Sequence, residues 1–335
     1  MAGSAADVTG KRPGNARPGL TLVRGPVLAD GPIAVRCTAP DALSNLVAVL
    51  ELAADRRLRC RAATRWPLAA TVRLVEDALV AGDYYDKDDP GGGEPIAAFA
   101  WPMLLQVGGL ATLVRGDGSA PPRSGMAGTV LELTARGDAV LARPSYQALG
   151  ALWERWLKSV SHDELSRVEA IKGQRRPATL TPATRRRAAV ADGLAALRPG
   201  EWVDVGTLFG ILRTQPGPLA AVKSLISLWR LYLVDPCHGS LGRAAGAAWE
   251  VVEGRYALCA LFEYAATLGV VDVAYAGPRG ARDDYRGLWG AGGYDCLSRY
   301  DGLVAVRVNE LGVALLHDPG ALPALGLPVP RRDHQ

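Results

Sequence analysis

The chain has 335 residues, 49% of them hydrophobic, and a formal net charge of +4. That is enough apolar material for more than one core, and the length suggests two domains. Only five of the 38 basic residues are lysines, and the arginine excess beside heavy Ala, Gly and Val use reads first as GC-rich, bacterial coding. Five scattered cysteines, an odd number, argue against a disulfide framework and for reduced thiols in a cytoplasm. Met1–Gly19 lacks the apolar core of a secretory signal. The charge-free run Pro95–Val114 is broken by Pro102, Gln106 and Gly108-Gly109, so it reads as a helix running into a strand and not as a membrane span.

In chain order, residues 1–35 read as a flexible tail with one or two short strands between Leu20 and Val35. Thr38-Ala-Pro-Asp41 is a capping box with proline in the first turn and predicts a helix through about Ala54. Leu58–Arg61 predicts a short strand and Thr71–Ala81 a helix. After the acidic loop Asp83–Gly93, Ile96–Val107 predicts a third helix that ends at the double glycine and becomes a strand to Val114. Thr129–Leu133 is the partner strand, and Thr134 caps a helix to Ala142.

Residues 144–182 read as a connector of two helices. Tyr146, Leu149, Trp153, Trp156 and Leu157 fall at helical spacing, the tryptophans as core packing, and Ser161-His-Asp-Glu164 is a second capping box before a helix to about Ile171. Thr181-Pro182 starts a helix over Ala183–Leu197, Trp202-Val203 is a short strand and Asp204–Arg213 a helix. Pro218–Leu233 reads as an inserted apolar helix, and Arg255–Leu268 as a helix that ends at Gly269 and runs into a strand to Ala274. Leu303–Val308 follows, Asn309 opens the last helix, and 319–335 reads as a flexible tail.

A helix ending at glycine, a strand, a loop, a strand and a capped helix therefore occur twice. Gly109 and Gly269 lie 160 positions apart, whereas Thr134-Ala-Arg-Gly137 and Asn309-Glu-Leu-Gly312 lie 175 apart, which puts 15 extra residues in the second loop. Duplicated units tolerate such changes in surface loops. In this element order, and in Gly109-Leu-Ala-Thr-Leu-Val114 and Val306-Arg-Val-Asn-Glu-Leu-Gly312, the chain resembles tandem winged-helix proteins over residues 36–143 and 183–318. The resemblance implies an α+β, mainly helical fold of two winged-helix units joined by a helical connector, the second with a long wing. It also implies DNA binding or complex assembly, with a helicase or ATPase subunit as a partner by fold-level analogy.

No catalytic constellation accompanies this pattern. His162-Asp-Glu164 with Pro236-Cys237 echoes the zinc deaminase signature, but the position for the second thiolate is Ser240, and one His and one Cys leave a catalytic zinc short of a ligand. No G-x-x-x-x-G-K-[ST] occurs, and Gly91-Gly-Gly93 is not followed by a phosphate-binding lysine. The expectation is a non-enzyme without cofactor or metal.

Charge is the more informative signal. Residues 144–200 carry a net +5, from Lys172, Arg175, Arg176, Arg185, Arg186 and Arg187 among others, while 36–143 and 201–318 are slightly acidic. Arg56, Arg57, Arg59, Arg61 and Arg65 surround the first short strand. Arginine pairs with phosphates through several donors, so both clusters are candidate phosphate contacts. Ile96–Val107, in the position of a recognition helix, has no basic residue, which points away from base readout. The long loop 276–302 adds Arg279, Arg282, Arg286 and Arg299 among Tyr285, Trp289, Tyr294 and Tyr300, a mixture suited to a nucleic-acid groove or to a protein interface. The sequence thus predicts an accessory protein that binds duplex DNA by its backbone; the alternative is a protein-protein adaptor that uses the four aromatic residues.

Overall fold

The computed structural model describes residues 32–85, 94–115, 128–174, 179–233, 239–244, 249–288 and 290–324, which form a mixed α/β structure. Strand β1 (Ala34–Arg36) precedes α1 (Ala39–Ala54), β2 (Arg59–Arg61), α2 (Ala69–Ala78), α3 (Ala97–Val107), β3 (Ala111–Val114), β4 (Gly128–Leu133) and α4 (Ala135–Ala142). Helix α5 (Tyr146–Lys158) leads to α6 (Ala183–Ala195), β5 (Trp202–Asp204), α7 (Val205–Thr214), α8 (Leu225–Leu228), α9 (Arg255–Cys259), β6 (Val271–Tyr275), β7 (Leu303–Val308) and α10 (Glu310–His317). Helix α9 is the middle of a longer rod, with π-helical turns at Glu250–Gly254 and Ala260–Ala265.

The two sheets repeat one pattern. In the first, β4 lies between β2 and β3; in the second, β7 lies between β5 and β6, and all pairs are antiparallel. The turns from the preceding helices into β3 and β6 match as well. Gly109 (φ +64°) and Gly269 (φ +77°) end their helices in the left-handed conformation. Leu110 N–H then reaches back to Leu105 O at 2.9 Å and Val270 N–H to Ala265 O at 2.8 Å, which satisfies carbonyls at the helix end. At the start of the last helix of each set, Gly137 N–H donates to Thr134 Oγ1 (3.2 Å) and Gly312 N–H to Asn309 Oδ1 (2.9 Å).

The sets are not separate bodies. Strand β1 adds to the free edge of β6, with Arg36 opposite Val273, so the start of the described chain completes the second sheet. One hydrophobic cluster runs from Ala39 to Leu322. Its centre is α3, buried at every position from Ala97 to Leu105, which packs against the 260–265 segment. Trp153 and Trp156 are buried here, and Trp156 stacks on Tyr264 with ring centroids 5.2 Å apart.

Several local expectations change in this context. Thr38 does not cap α1; its N–H and hydroxyl instead donate to Asp272 Oδ1 (3.0 Å) and Val271 O (2.7 Å), which ties α1 to β6. The helix expected from Ser161 to Ile171 is a single 3-10 turn, Glu164–Arg167, capped by Asp163, because Glu164 is drawn into the core. Of the helix expected over Pro218–Leu233 only α8 is helical, since the flanking backbone forms bridges, Leu180 to Val222 and Lys172 to Tyr232. The stretch expected as a C-terminal tail begins with ordered backbone: Pro319–Ala324 is a 3-10 turn whose Leu322 is buried against α5, and residues 325–335 lie outside the described residues. Among the described residues no helix is long and apolar enough to cross a membrane.

Candidate nucleic-acid interface

Strand β2 alternates in the manner of any half-buried strand: Cys60 faces the core, while Arg59 and Arg61 face out. Beyond it the chain folds back on itself. Arg61 N–H donates to Trp66 O (2.8 Å) and Leu68 N–H to Arg59 O (3.0 Å), so residues 59–68 make a hairpin that covers the β2 edge. Arg65 sits at its turn with φ +64°, and Arg56 ends α1 with φ +57°. Arg57 N–H reaches back to Leu52 O at 3.0 Å, so Arg56 occupies the helix-end position that glycine fills at 109 and 269. These are the only non-glycine residues with positive φ among those described, and both belong to the arginine cluster. An L-residue costs about 1 kcal/mol or more in this conformation.

Arg56, Arg57, Arg59, Arg61 and Arg65 are all exposed. Arg56 pairs with Glu132, and Arg65 Nε donates to Gln106 Oε1 at 3.3 Å. Arg57, Arg59, Arg61 and Arg65 form no ion pair with a carboxylate among the described residues.

The hairpin opens onto a cleft of about 520 Å³ lined by Trp66, Ser166, Glu169, Lys172, Gln174 and Tyr232. A second cleft of about 360 Å³ shares Glu169 and Lys172 with it and continues to Arg279, Tyr294, Cys296 and Arg299. The wall at Trp66 is rigid. Trp66 meets Phe99 edge-on at 5.5 Å, and the Arg167 guanidinium lies 3.3 Å from the Phe99 ring centroid. Arg167 is held by both oxygens of the buried Glu263 (Nε at 3.2 and 3.1 Å). Burial alone would lower the Arg167 pKa, but Glu263 and Tyr300 more than offset it and keep the guanidinium charged.

The structure thus joins Lys172, Arg279 and Arg299 along one cleft, next to the hairpin of residues 59–68. Arg299 is already paired with Glu94 (2.6 Å) and Glu169 (2.9 Å). Arg185 and Arg286 are exposed but line neither cleft. Arg175, Arg176 and Trp289 lie outside the described residues.

Other candidates are corrected by burial. Arg186 is 1% exposed and clasps Asp163 through both terminal nitrogens (2.8 and 2.5 Å). Arg187 is fully buried, with Glu164 Oε1 at 2.7 Å and the carbonyls of Trp156 and His162 at 2.8 and 2.9 Å. Arg282 donates to the carbonyls of Asp301 (3.1 Å) and Leu303 (2.8 Å), and burial together with neighbouring Arg255 lowers its pKa to about 10. With every donor turned inward, these three cannot reach a phosphate. Tyr285 and Tyr300 are likewise buried, their hydroxyls donating to Tyr294 O (3.1 Å) and to Glu263, so neither can anchor a partner. Tyr294 is half-buried and donates to Leu233 O at 2.9 Å.

Of the zinc echo, His162 and Glu164 are engaged in packing, and Pro236 and Cys237 lie outside the described residues. His162 Nε2 is 3.2 Å from Glu164 Oε1, but that carboxylate is taken by Arg187 and by Trp156 Nε1 (3.0 Å) in the core. Sequence reading missed Trp66 and Tyr232 as lining residues. Trp66 carried a signal, an aromatic residue closing an arginine-rich run; Tyr232 lay within an apolar stretch and carried none. The chain matches no family model, and no curated protein or solved structure is similar to it.

Proposed function

We propose that this chain is a tandem winged-helix protein that binds nucleic acid through the phosphodiester backbone, as a non-enzymatic accessory to a larger assembly. The observation that carries the reading is the exposed hairpin with Arg59, Arg61 and Arg65, and Arg57 just before it, none of them paired with a carboxylate among the described residues, beside a cleft that holds Lys172 and Arg279. Two of the cluster's arginines, Arg56 and Arg65, occupy left-handed backbone that glycine would fill at lower cost. The repeated helix, strand, helix, helix, strand, strand order, with the last strand central in each sheet, supports the winged-helix assignment.

The docking mode differs from major-groove reading. Helix α3 is buried from Ala97 to Leu105 and the rod around α9 from Val251 to Ala265, so neither third helix can enter a groove. Contacts fall on phosphates, and discrimination between sequences is weak.

The test is affinity for duplex DNA across a salt series. With about four to six phosphates neutralised, log K falls against log salt with a slope of roughly −4 to −5. A salt-independent affinity, or no binding at low salt, overturns the reading.

A further inference from the structure

The largest exposed apolar side chains that fall together are Leu225 (70% exposed), Ile226 (75%) and Trp229 (55%), all on or beside the single turn α8. The turn lies within residues 215–249, the segment between α7 and the long rod. The corresponding segment of the first set, residues 79–96, is about half as long, and its described residues, 79–85 and 94–96, contain no such turn. The repeated architecture therefore does not require it.

Trp229 is held in place. A Cβ on Gly242 would lie 2.4 to 2.7 Å from three atoms of the indole, Cδ2, Cγ and Cε2, so the ring lies flat over a backbone position that has no side chain. Ser240 Oγ donates to Trp229 O (3.2 Å) and Leu241 N–H to Leu231 O (2.9 Å), which fixes the two strands of this turn to each other. One face of the indole is thus occupied, and more than half of the residue remains open to solvent.

The turn is continuous with the cleft beside the arginine hairpin. Lys172 N–H donates to Tyr232 O at 2.8 Å, and Gly173 approaches Arg230 O so closely that a Cβ there would lie 1.9 Å from it. Lys172, Gly173 and Tyr232 are among the residues that line the cleft that begins at Trp66. Charge points to a polyanion: exposed Lys223 and Arg230 flank the apolar triad, and residues 205–233 contain no Asp or Glu. A projecting turn with three apolar side chains is also far smaller than the 20 to 30 residues per side of a stable protein interface.

We propose that the Leu225–Trp229 turn is a stacking platform for unpaired bases, so that the preferred ligand is nucleic acid with a single-stranded segment whose backbone runs along the cleft. This rests on the phosphate-binding reading above. Every base has a π-face, so an indole with one face fixed and the other open receives unpaired bases without sequence preference.

The experiment compares binding of the full chain to a blunt DNA duplex and to the same duplex with an oligo-dT overhang, at one salt concentration. The overhang probe is expected to bind about tenfold more tightly, as stacking of one base provides. Trp229→Ala is expected to bring the overhang probe down to duplex affinity and to leave duplex affinity unchanged. The double variant Leu225→Ser/Ile226→Ser, at positions too exposed to support the fold, is expected to reduce the preference in the same direction. A 2-aminopurine placed in the overhang should be quenched by the wild-type chain and not by Trp229→Ala.

Equal affinity for both probes, or a preference that survives both variants, overturns the platform while duplex binding keeps the phosphate reading. Absence of binding to either probe overturns both. Self-association, or binding to vesicles with anionic lipid, that Trp229→Ala abolishes while overhang affinity is unchanged assigns the turn to another copy or to a membrane and overturns the proposal.

Discussion

Gly137 and Gly312 occupy the same place in the two halves of the chain. A Cβ on Gly137 would lie 2.1 Å from Leu110 O, and one on Gly312 would lie 2.0 Å from Val270 O. Each is the third residue of a capped helix pressed against the residue that follows the left-handed glycine of its set. The obstacle is backbone and cannot rotate away. Gly137→Ala and Gly312→Ala should therefore each cost about 1–3 kcal/mol, read from denaturant midpoints at constant m-value. An unchanged midpoint for either would mean that the helix shifts freely, and the equivalence of the two sites would lose its physical basis.

Glu164 makes stability depend on acid. Burial pushes its pKa up, but Arg187 and His162 outweigh burial and hold it well below the ordinary value of 4.5. A carboxylate whose pKa is depressed on folding stabilises the fold above its unfolded pKa and loses that contribution as pH falls through its folded pKa. Glu164→Gln leaves Arg187 buried without its counter-ion and should cost about 3–5 kcal/mol at pH 7. The gap between wild type and variant should narrow progressively below pH 4.5. A gap that is constant from pH 7 to pH 3 would show that the charge is not what Glu164 supplies.

The run Arg185-Arg186-Arg187 should divide by residue. Arg187→Ala strands Glu164 in the core and should lower stability by about 3–5 kcal/mol. Arg185→Ala should leave the thermal melt unchanged, because its side chain is exposed and makes no ion pair among the described residues. Thermal melts of the two single variants, run side by side, decide the matter; equal losses would contradict the division.

At the hairpin, Arg59→Ala/Arg61→Ala should weaken duplex binding for all sequences alike and make the salt slope about two units shallower. Arg65→Gly should remove one more contact while raising stability slightly, since glycine adopts φ +64° without strain. Binding isotherms at several salt concentrations, paired with melts, test both arms. A sequence-dependent loss would mean that these arginines read bases.

What the sequence disclosed and what it concealed follow from the range of the interactions. The glycine-terminated helices and the Thr134 and Asn309 caps satisfy themselves within a few residues, so their pattern survives in one dimension. Ser161-His-Asp-Glu164 looks like a capping box for the same local reason, yet Glu164 is claimed by Arg187, 23 positions away, and the helix does not form. Three consecutive arginines look alike until their acceptors are known, and those acceptors, Asp163 and Glu164, come from another part of the chain. The apolar run 218–233 has the composition of a buried helix, but its backbone pairs with Leu180 and Lys172. The arginine hairpin was legible as a cluster; its joining to Lys172 and Arg279 was not, because three distant segments build the cleft.

The attachment of β1 to β6 sets an order of events on the ribosome. Thr38, just after β1, is bound to Asp272, 234 positions later, so the early chain waits for nearly all of the described sequence before this seam can close. Contacts of such separation slow folding, because the intervening chain must be restrained before they form. Until then both edges stay unpaired, and each can be captured by the wrong strand. Separating the halves by a cut between residues 143 and 183 would make that transient exposure permanent. The two copies of the motif thus share a seam that neither closes alone.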